Sequence, residues 1–156
     1  MTIQIDSREK ARAIQKILAQ FEQSGVKHYV SKLFVGDYMS LDNPRLIIDR
    51  KQNLNEVTQN VCQQHSRFVR EIERANENGI KLLFLIEHGG SIRSLEDVRS
   101  WQNPRLKFSP LAVSGERLYK ILYTMQSHYG VEFLFCDKRS TGKRILELLG
   151  EGNGKG

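Results

Sequence analysis

The pattern of apolar and polar positions changes period several times along the chain, and each change marks an element. Ile3 and Ile5 alternate with polar neighbours up to Asp6, as a short strand does. Ile14, Ile17, Leu18 and Phe21 then fall at i, i+3, i+4 and i+7, the apolar stripe of a helix that Gly25 is placed to close. Between 28 and 41, Tyr29, Val30, Leu33, Phe34, Val35, Tyr38 and Met39 favour extended chain broken at Gly36-Asp37, and Asp42-Asn43-Pro44 predicts a turn. Leu46-Ile47-Ile48 reads as a buried strand running into Asp49-Arg50-Lys51. A helical stretch follows over Leu54 to Asn78, with a break expected near His65-Ser66 and with Phe68, Ile72 and Ala75 on one face. After Gly79, the run from Lys81 to Glu87 is apolar without alternation, the signature of a central strand covered on both faces.

Beyond the His88-Gly89-Gly90 turn the periodicity fades. Residues 91–113 read as a long functional or lid-like loop, with a short helix around Leu95 to Trp101. Leu118, Ile121, Leu122 and Met125 restore helical spacing up to Gly130, Val131 to Cys136 forms a further strand, and a last helix starts near Ser140 and carries Ile145, Leu146, Leu148 and Leu149. The glycine-rich segment 150–156 is expected to be a flexible tail. No repeat or linker divides the chain, so residues 1–149 are expected to form one α/β domain, a mixed central sheet flanked by helices.

Composition narrows the class of partner. The 156 residues carry 24 Lys+Arg against 18 Asp+Glu, a net charge of +6, which points to an anionic ligand. A mean hydropathy of −0.47 and the lack of any apolar run near ~20 residues exclude a helical membrane span. The N-terminus lacks the pattern of a signal peptide, so a cytoplasmic protein is expected. Cys62 and Cys136, without zinc-finger spacing, read as two buried thiols in a reducing compartment, and the four histidines show no ligand spacing.

The informative chemistry lies in Gly36-Asp37-Tyr38 and Ile48-Asp49-Arg50-Lys51. If these segments are paired strands, Asp37 and Asp49 converge at one end of the sheet, and Lys51, two residues beyond Asp49, points to the same side. Hydrolysis of a phosphodiester at neutral pH calls for a divalent cation, and one or two carboxylates suit Mg²⁺, with Lys51 placed to stabilise developing charge. The bland alternative is a solvated strand end, which explains less well why three ionisable residues follow directly on an apolar run. Arg67, Arg70 and Arg74 recur at i, i+3 and i+7 opposite the Phe68 face, either as a stripe along a phosphate backbone or as a solvated face paired with Glu71 and Glu73. Trp101 and Phe108, with Arg105 and Lys107 between them, either clamp an exposed base or pack within their loop.

Taken in order, Ile5-Asp6-Ser7-Arg8-Glu9, Val35-Gly36-Asp37-Tyr38 and Ile48-Asp49-Arg50-Lys51 resemble the nuclease domain of XPF/Hef-type structure-specific endonucleases, whose motif is an upstream D-x-R-E followed by GD-x(n)-ERK-x3-D. Arg67-Phe68 and the strand Leu83 to Glu87 continue the likeness. The resemblance implies a restriction-endonuclease-like α/β fold and Mg²⁺- or Mn²⁺-dependent cleavage of branched or flapped DNA in repair or recombination. It also implies a homodimer built through the C-terminal region, where Tyr119 and Tyr123 are interface candidates. Carried over by position, Asp37 and Asp49 are metal ligands and Lys51 is the catalytic lysine. Arg50 joins them, with its carbonyl near the metal and its side chain toward phosphate or a structural partner. Asp6, Arg8 and Glu9 form a supporting rim, and Arg67 and Arg70 contact DNA.

Two positions depart from the motif. Asp49 stands where the family has Glu, which keeps the charge on an arm one methylene shorter. The final acid of the motif falls on Asn55, a neutral residue. Glu56 is the adjacent substitute, although a one-residue shift turns a helical side chain by about 100°. The rival readings are a catalytically silent DNA-binding subunit and a nuclease for single strands or RNA. The tandem helix-hairpin-helix module of many relatives is not in the sequence, so a stand-alone bacterial or phage protein is expected.

Overall fold

A computed structural model describes residues 1–154, with side chains to residue 150; the end of the expected glycine-rich tail lies outside the described residues. Six strands form one mixed sheet in the order β2-β1-β3-β4-β5-β6. β1 (Thr2–Ile5) leads through a 3₁₀ turn, Ala11–Ile14, into α1 (Gln15–Gln23) and returns as the parallel edge strand β2 (Lys27–Val30). β3 (Tyr38–Ser40) pairs antiparallel with both β1 and β4 (Asn43–Lys51). The hairpin turn is Leu41-Asp42, one position earlier than the proline suggests, because Ser40 pairs with Asn43 and so draws Asn43 and Pro44 into β4.

α2 (Leu54–Thr58) passes through a π-helical stretch, Gln59–Gln63, into α3 (His65–Glu77), so the expected break falls at Gln64. β5 (Lys81–Ile86) is parallel to β4, and α4 (Gly115–Tyr129) connects it to β6 (Glu132–Phe135), again parallel. The last helix is α5 (Thr141–Gly154). Among the described residues no helix is long and apolar enough to cross a membrane.

The sheet divides the apolar interior in two. Ile47, Leu82, Phe84 and Ile86 face α2, α3 and α4, whereas Ile48, Leu83 and Leu85 face α1 and α5. That is why β5 shows no alternation: each of its faces is a core. Phe84 stacks on Phe133 at 5.2 Å and meets Phe68 at 4.9 Å, and each such buried side chain contributes about 1.5–3 kcal/mol.

The loop from 91 to 113 is structured by two 3₁₀ turns, Glu96–Ser100 and Pro104–Lys107. Trp101 is buried in the α3/α4 core, against the alternative of a base clamp, while Phe108 is 89% exposed. Burial holds the indole because Gly115 packs where a Cβ would lie 2.5 Å from the Trp101 carbonyl oxygen, and His88 meets the indole edge-on. Cys62, expected to be buried, is exposed, because the π-helical stretch turns Val61 rather than its neighbour into the core.

Candidate active site

β4 alternates its last residues across the sheet, and the two faces receive them differently. Asp49 and Lys51 emerge on the α3 face, with Lys51 Nζ 3.4 Å from Asp49 Oδ1 and lying over the rings of Phe68 at 5.4 Å and Phe84 at 5.8 Å. Asp37 joins them from the turn before β3. Its N–H donates to the Ile48 carbonyl at 2.8 Å, its carbonyl accepts from the Asp6 N–H at 2.8 Å, and its Oδ2 accepts from the Arg50 N–H at 2.7 Å. Gly36 makes this approach feasible: its φ is +68°, and a Cβ there would lie 2.5 Å from Ile47 Cγ2 and 3.2 Å from the Ile48 carbonyl oxygen.

The resulting cleft, about 260 Å³ in volume, is lined by Arg8, Glu9, Asp37, Asp49, Lys51, Gln52, Glu56 and Glu71 among others. Negative charge dominates it. Burial first, then the charges of Asp49 and Glu9, hold the Asp37 carboxyl well above the ordinary carboxylate range. Glu71 is pushed to about 7 by burial, by the Asp49 charge and by a hydrogen bond with Asp49. For Lys51, burial disfavours the ammonium, but the charges of Asp49, Glu56 and Glu71 outweigh it and raise the pKa, so the residue is a fixed cation rather than a base.

Arg50 takes the structural of its two expected roles. Its guanidinium points to the α1/α5 face, where Nε and Nη2 donate to Glu9 at 2.9 and 2.7 Å and Nη1 donates to Glu87 at 2.6 Å. Glu87 also accepts from Thr141 Oγ1 at 2.5 Å. Burial opposes the Arg50 charge, yet the bonds and charges of Glu9 and Glu87 hold its pKa above the ordinary arginine value. The side chain is therefore committed to Glu9 and Glu87, and it is the backbone N–H of Arg50 that reaches Asp37.

The supporting residues separate as sharply. Asp6 is fully buried; its Oδ1 accepts from the Leu33 N–H at 2.8 Å and its Oδ2 from Arg8 Nε at 2.6 Å, so it braces the loop leading to Asp37 rather than lining the cleft. Burial raises its pKa, but these hydrogen bonds prevail and leave it lowered. Asn55 is exposed and outside the cleft, which corrects its expected supporting place: Asn53 caps α2 through the Glu56 N–H, and this phase points Glu56, not Asn55, inward. Glu56 accepts from the Gln52 N–H at 2.7 Å.

Glu71 is a cleft residue that sequence reasoning missed, since the arginine spacing offers it only as a salt partner in one of two alternatives. Its signal was present: it lies three residues after Phe68 and four before Ala75, on the edge of the buried stripe. Arg67, Arg70 and Arg74 are exposed and share a second cleft with Arg8, bordering the first at Glu71. Arg74 is partly committed, donating to the Phe34 carbonyl at 3.0 Å with its guanidinium 4.9 Å from the Phe34 ring.

Among the described residues no three His, Cys, Asp or Glu side chains are arranged to hold a metal ion by themselves. The donor set nonetheless fits Mg²⁺ or Mn²⁺, since such ions take one or two carboxylates and complete their shell with water and substrate phosphate oxygens. The observation behind that fit is the crowding of Asp37, Asp49, Glu56 and Glu71 around one cleft, where burial and then the charges of Asp49 and Glu9 raise the Asp37 pKa and a divalent cation would relieve the repulsion.

The profile of the ERCC4 domain matches residues 5–149. A sequence search of curated proteins finds no match. Among solved structures, XPF from Aeropyrum pernix is similar with a TM-score of 0.69 at 20% identity, over 99% of this chain and 66% of that one. A complex of XPF from Aeropyrum pernix with DNA is similar with a TM-score of 0.67 at 20% identity, over 97% of this chain and 64% of that one. The chain thus spans just under two thirds of the length of these structures.

Proposed function

Because the chain belongs to the ERCC4 domain family, a family of structure-specific DNA nucleases, and carries this cleft, we propose that it is a metal-dependent endonuclease that hydrolyses phosphodiesters in branched or flapped DNA. The observation that carries the reading is the convergence of Asp37, Asp49 and Lys51 on one face at the end of β4. Asp37 and Asp49 would hold Mg²⁺ or Mn²⁺, which supplies Lewis-acid charge and lowers the pKa of water.

The other duties fall to side chains. The Arg50 N–H fixes the Asp37 carboxylate, and Asp49 fixes the Lys51 ammonium. Lys51, charged and shielded against Phe68 and Phe84, meets the negative charge that builds on the phosphate oxygens as the P–O bond breaks. Arg67 and Arg70 engage flanking phosphates. The motif departure at Asn55 falls on an exposed residue, while the adjacent Glu56 lines the cleft, which supports the active reading over a silent subunit. A homodimer through the C-terminal region, with Tyr123 exposed on α4, completes the proposal.

The test is incubation of the purified protein with flap, fork, four-way-junction and linear duplex DNA in Mg²⁺, Mn²⁺ or EDTA. Metal-dependent incision of the branched substrates is expected. Binding to all of them without incision in either metal would leave a silent subunit.

A further inference from the structure

On the side of β4 away from α3, another cleft opens between α1 and the 3₁₀ turn Lys138–Ser140. Arg50 and Gln52 line both this cleft and the carboxylate cleft, so the two adjoin across the strand end. Arg12, Lys16 and Lys138 line it as exposed cations. Glu87 is its single carboxylate, and Arg50 and Thr141 already engage it at 2.6 and 2.5 Å. Among the described residues none of the three cations has an ion-pair or hydrogen-bond partner.

Packing fixes how these cations face one another. Gln20, one turn beyond Lys16 on α1, donates through Nε2 to the Arg139 carbonyl at 2.5 Å and accepts at Oε1 from the Lys143 N–H at 2.9 Å. Gly142 permits the approach, because a Cβ there would lie 2.6 Å from Gln20 Oε1 and 2.9 Å from the Ile17 carbonyl oxygen. The helix bearing Lys16 and the turn bearing Lys138 are therefore held together by bonds that involve neither cation. Like charges placed around one cleft without a counter-ion repel, and an anion laid between them removes that repulsion.

We infer that this cleft is a second phosphate track, whose ligand is the sugar–phosphate backbone of a nucleic acid extending past Gln52 on the side away from α3. The inference rests on the nuclease reading and extends it. The carboxylate cleft by itself repels a phosphate; cations on both sides of it, Arg67 and Arg70 on α3 and Arg12, Lys16 and Lys138 here, hold a continuous backbone across it. A small anion would satisfy one or two of these charges, whereas a polyanion meets both flanks at once.

The test is fluorescence anisotropy of labelled duplex and flapped DNA over a salt series in EDTA, with circular dichroism confirming the fold of each variant. R12A/K16A/K138A is expected to make the dependence of log K on log salt shallower by about 2.7, since each lost phosphate contact removes about 0.9, and to weaken binding at least about tenfold at low salt. K27A/R45A/K120A, which removes the same charge from exposed positions elsewhere, should change the slope by less than about one. Equal losses in the two triple variants, or an undiminished slope in R12A/K16A/K138A, overturn the track. Expected slopes without cleavage in any metal would remove the nuclease reading and keep the track. Metal-dependent cleavage combined with wild-type binding by R12A/K16A/K138A would remove the track and keep the nuclease reading. A wild-type protein that binds no DNA removes both.

Discussion

The two faces of the β4 terminus both gather buried and half-buried charges and treat them in opposite ways. On the α1/α5 face, Arg50 lies between Glu9 and Glu87, and Thr141 satisfies the remaining Glu87 oxygen. On the α3 face, Asp37, Asp49, Glu56 and Glu71 surround one cation from the strand, Lys51. The first arrangement is closed on itself and leaves nothing for a ligand. The second is short of positive charge, as the raised pKa values of Asp37 and Glu71 register. A buried ion pair is weak evidence of function; a buried surplus of one sign is stronger evidence, because folding alone gives no reason to keep it.

Substitutions can break or sharpen this contrast. Asp49→Asn and Lys51→Ala should each lower cleavage of a flapped substrate by at least about 10²–10³-fold, with DNA affinity in EDTA retained. Their melting temperatures should not fall below the wild type for Asp49→Asn, which relieves crowding, and a collapse of stability there would erase the distinction between the faces. Arg50→Met should do the reverse, leaving Glu9 and Glu87 buried without their partner and costing about 3–5 kcal/mol in urea unfolding. If Arg50→Met stayed folded and lost only cleavage, the closed face would belong to the chemistry after all.

Smaller effects sharpen the boundary. Asp6→Ala should cost about 1–2 kcal/mol at pH 7. Since the folded Asp6 pKa lies below its ordinary 3.8, that stabilisation is complete above 3.8 and is lost as the pH falls through the lowered folded value, so the two unfolding curves should converge in acid. Glu56→Gln should reduce the cleavage rate by about tenfold, equivalent to about 1.4 kcal/mol, whereas Asn55→Ala should leave it within about twofold. The reverse ranking of Glu56 and Asn55 would return the motif acid to its aligned position.

Much of this was legible in the sequence because the strand period is two. Asp49 and Lys51 had to share a face, and the apolar run before them had to place that face at the end of a buried strand. The same period put Arg50 on the other side, but its commitment to Glu9 and Glu87 depends on residues 41 and 37 positions away, which no local pattern connects. Glu71 was hidden by its arginine neighbours, whose spacing suggested surface salt bridges. Asn55 and Glu56 could be ranked only once Asn53 was known to cap α2, since the cap sets the helix phase. Trp101 stayed open between a clamp and packing because its loop has no period; its N–H bonds the nearby Val98 carbonyl, but Gly115, which packs against its backbone, is brought in by tertiary packing.

The closure of α1 on α5 through Gln20 also sets an order of events during synthesis. Ile14, Ile17 and Phe21 leave the ribosome early, yet the half-core they begin is finished by Ile145, Leu148 and Leu149. A nascent chain halted before Thr141 already carries every carboxylate of the cleft, on a sheet with one apolar face covered by α1 alone and with the Glu87 anchor missing its hydroxyl. Assembly of the site is thereby deferred until residues 141–149 have been translated, so a chain halted before them, surrounded on the ribosome by nucleic acid, lacks the scaffold that holds its carboxylates in place.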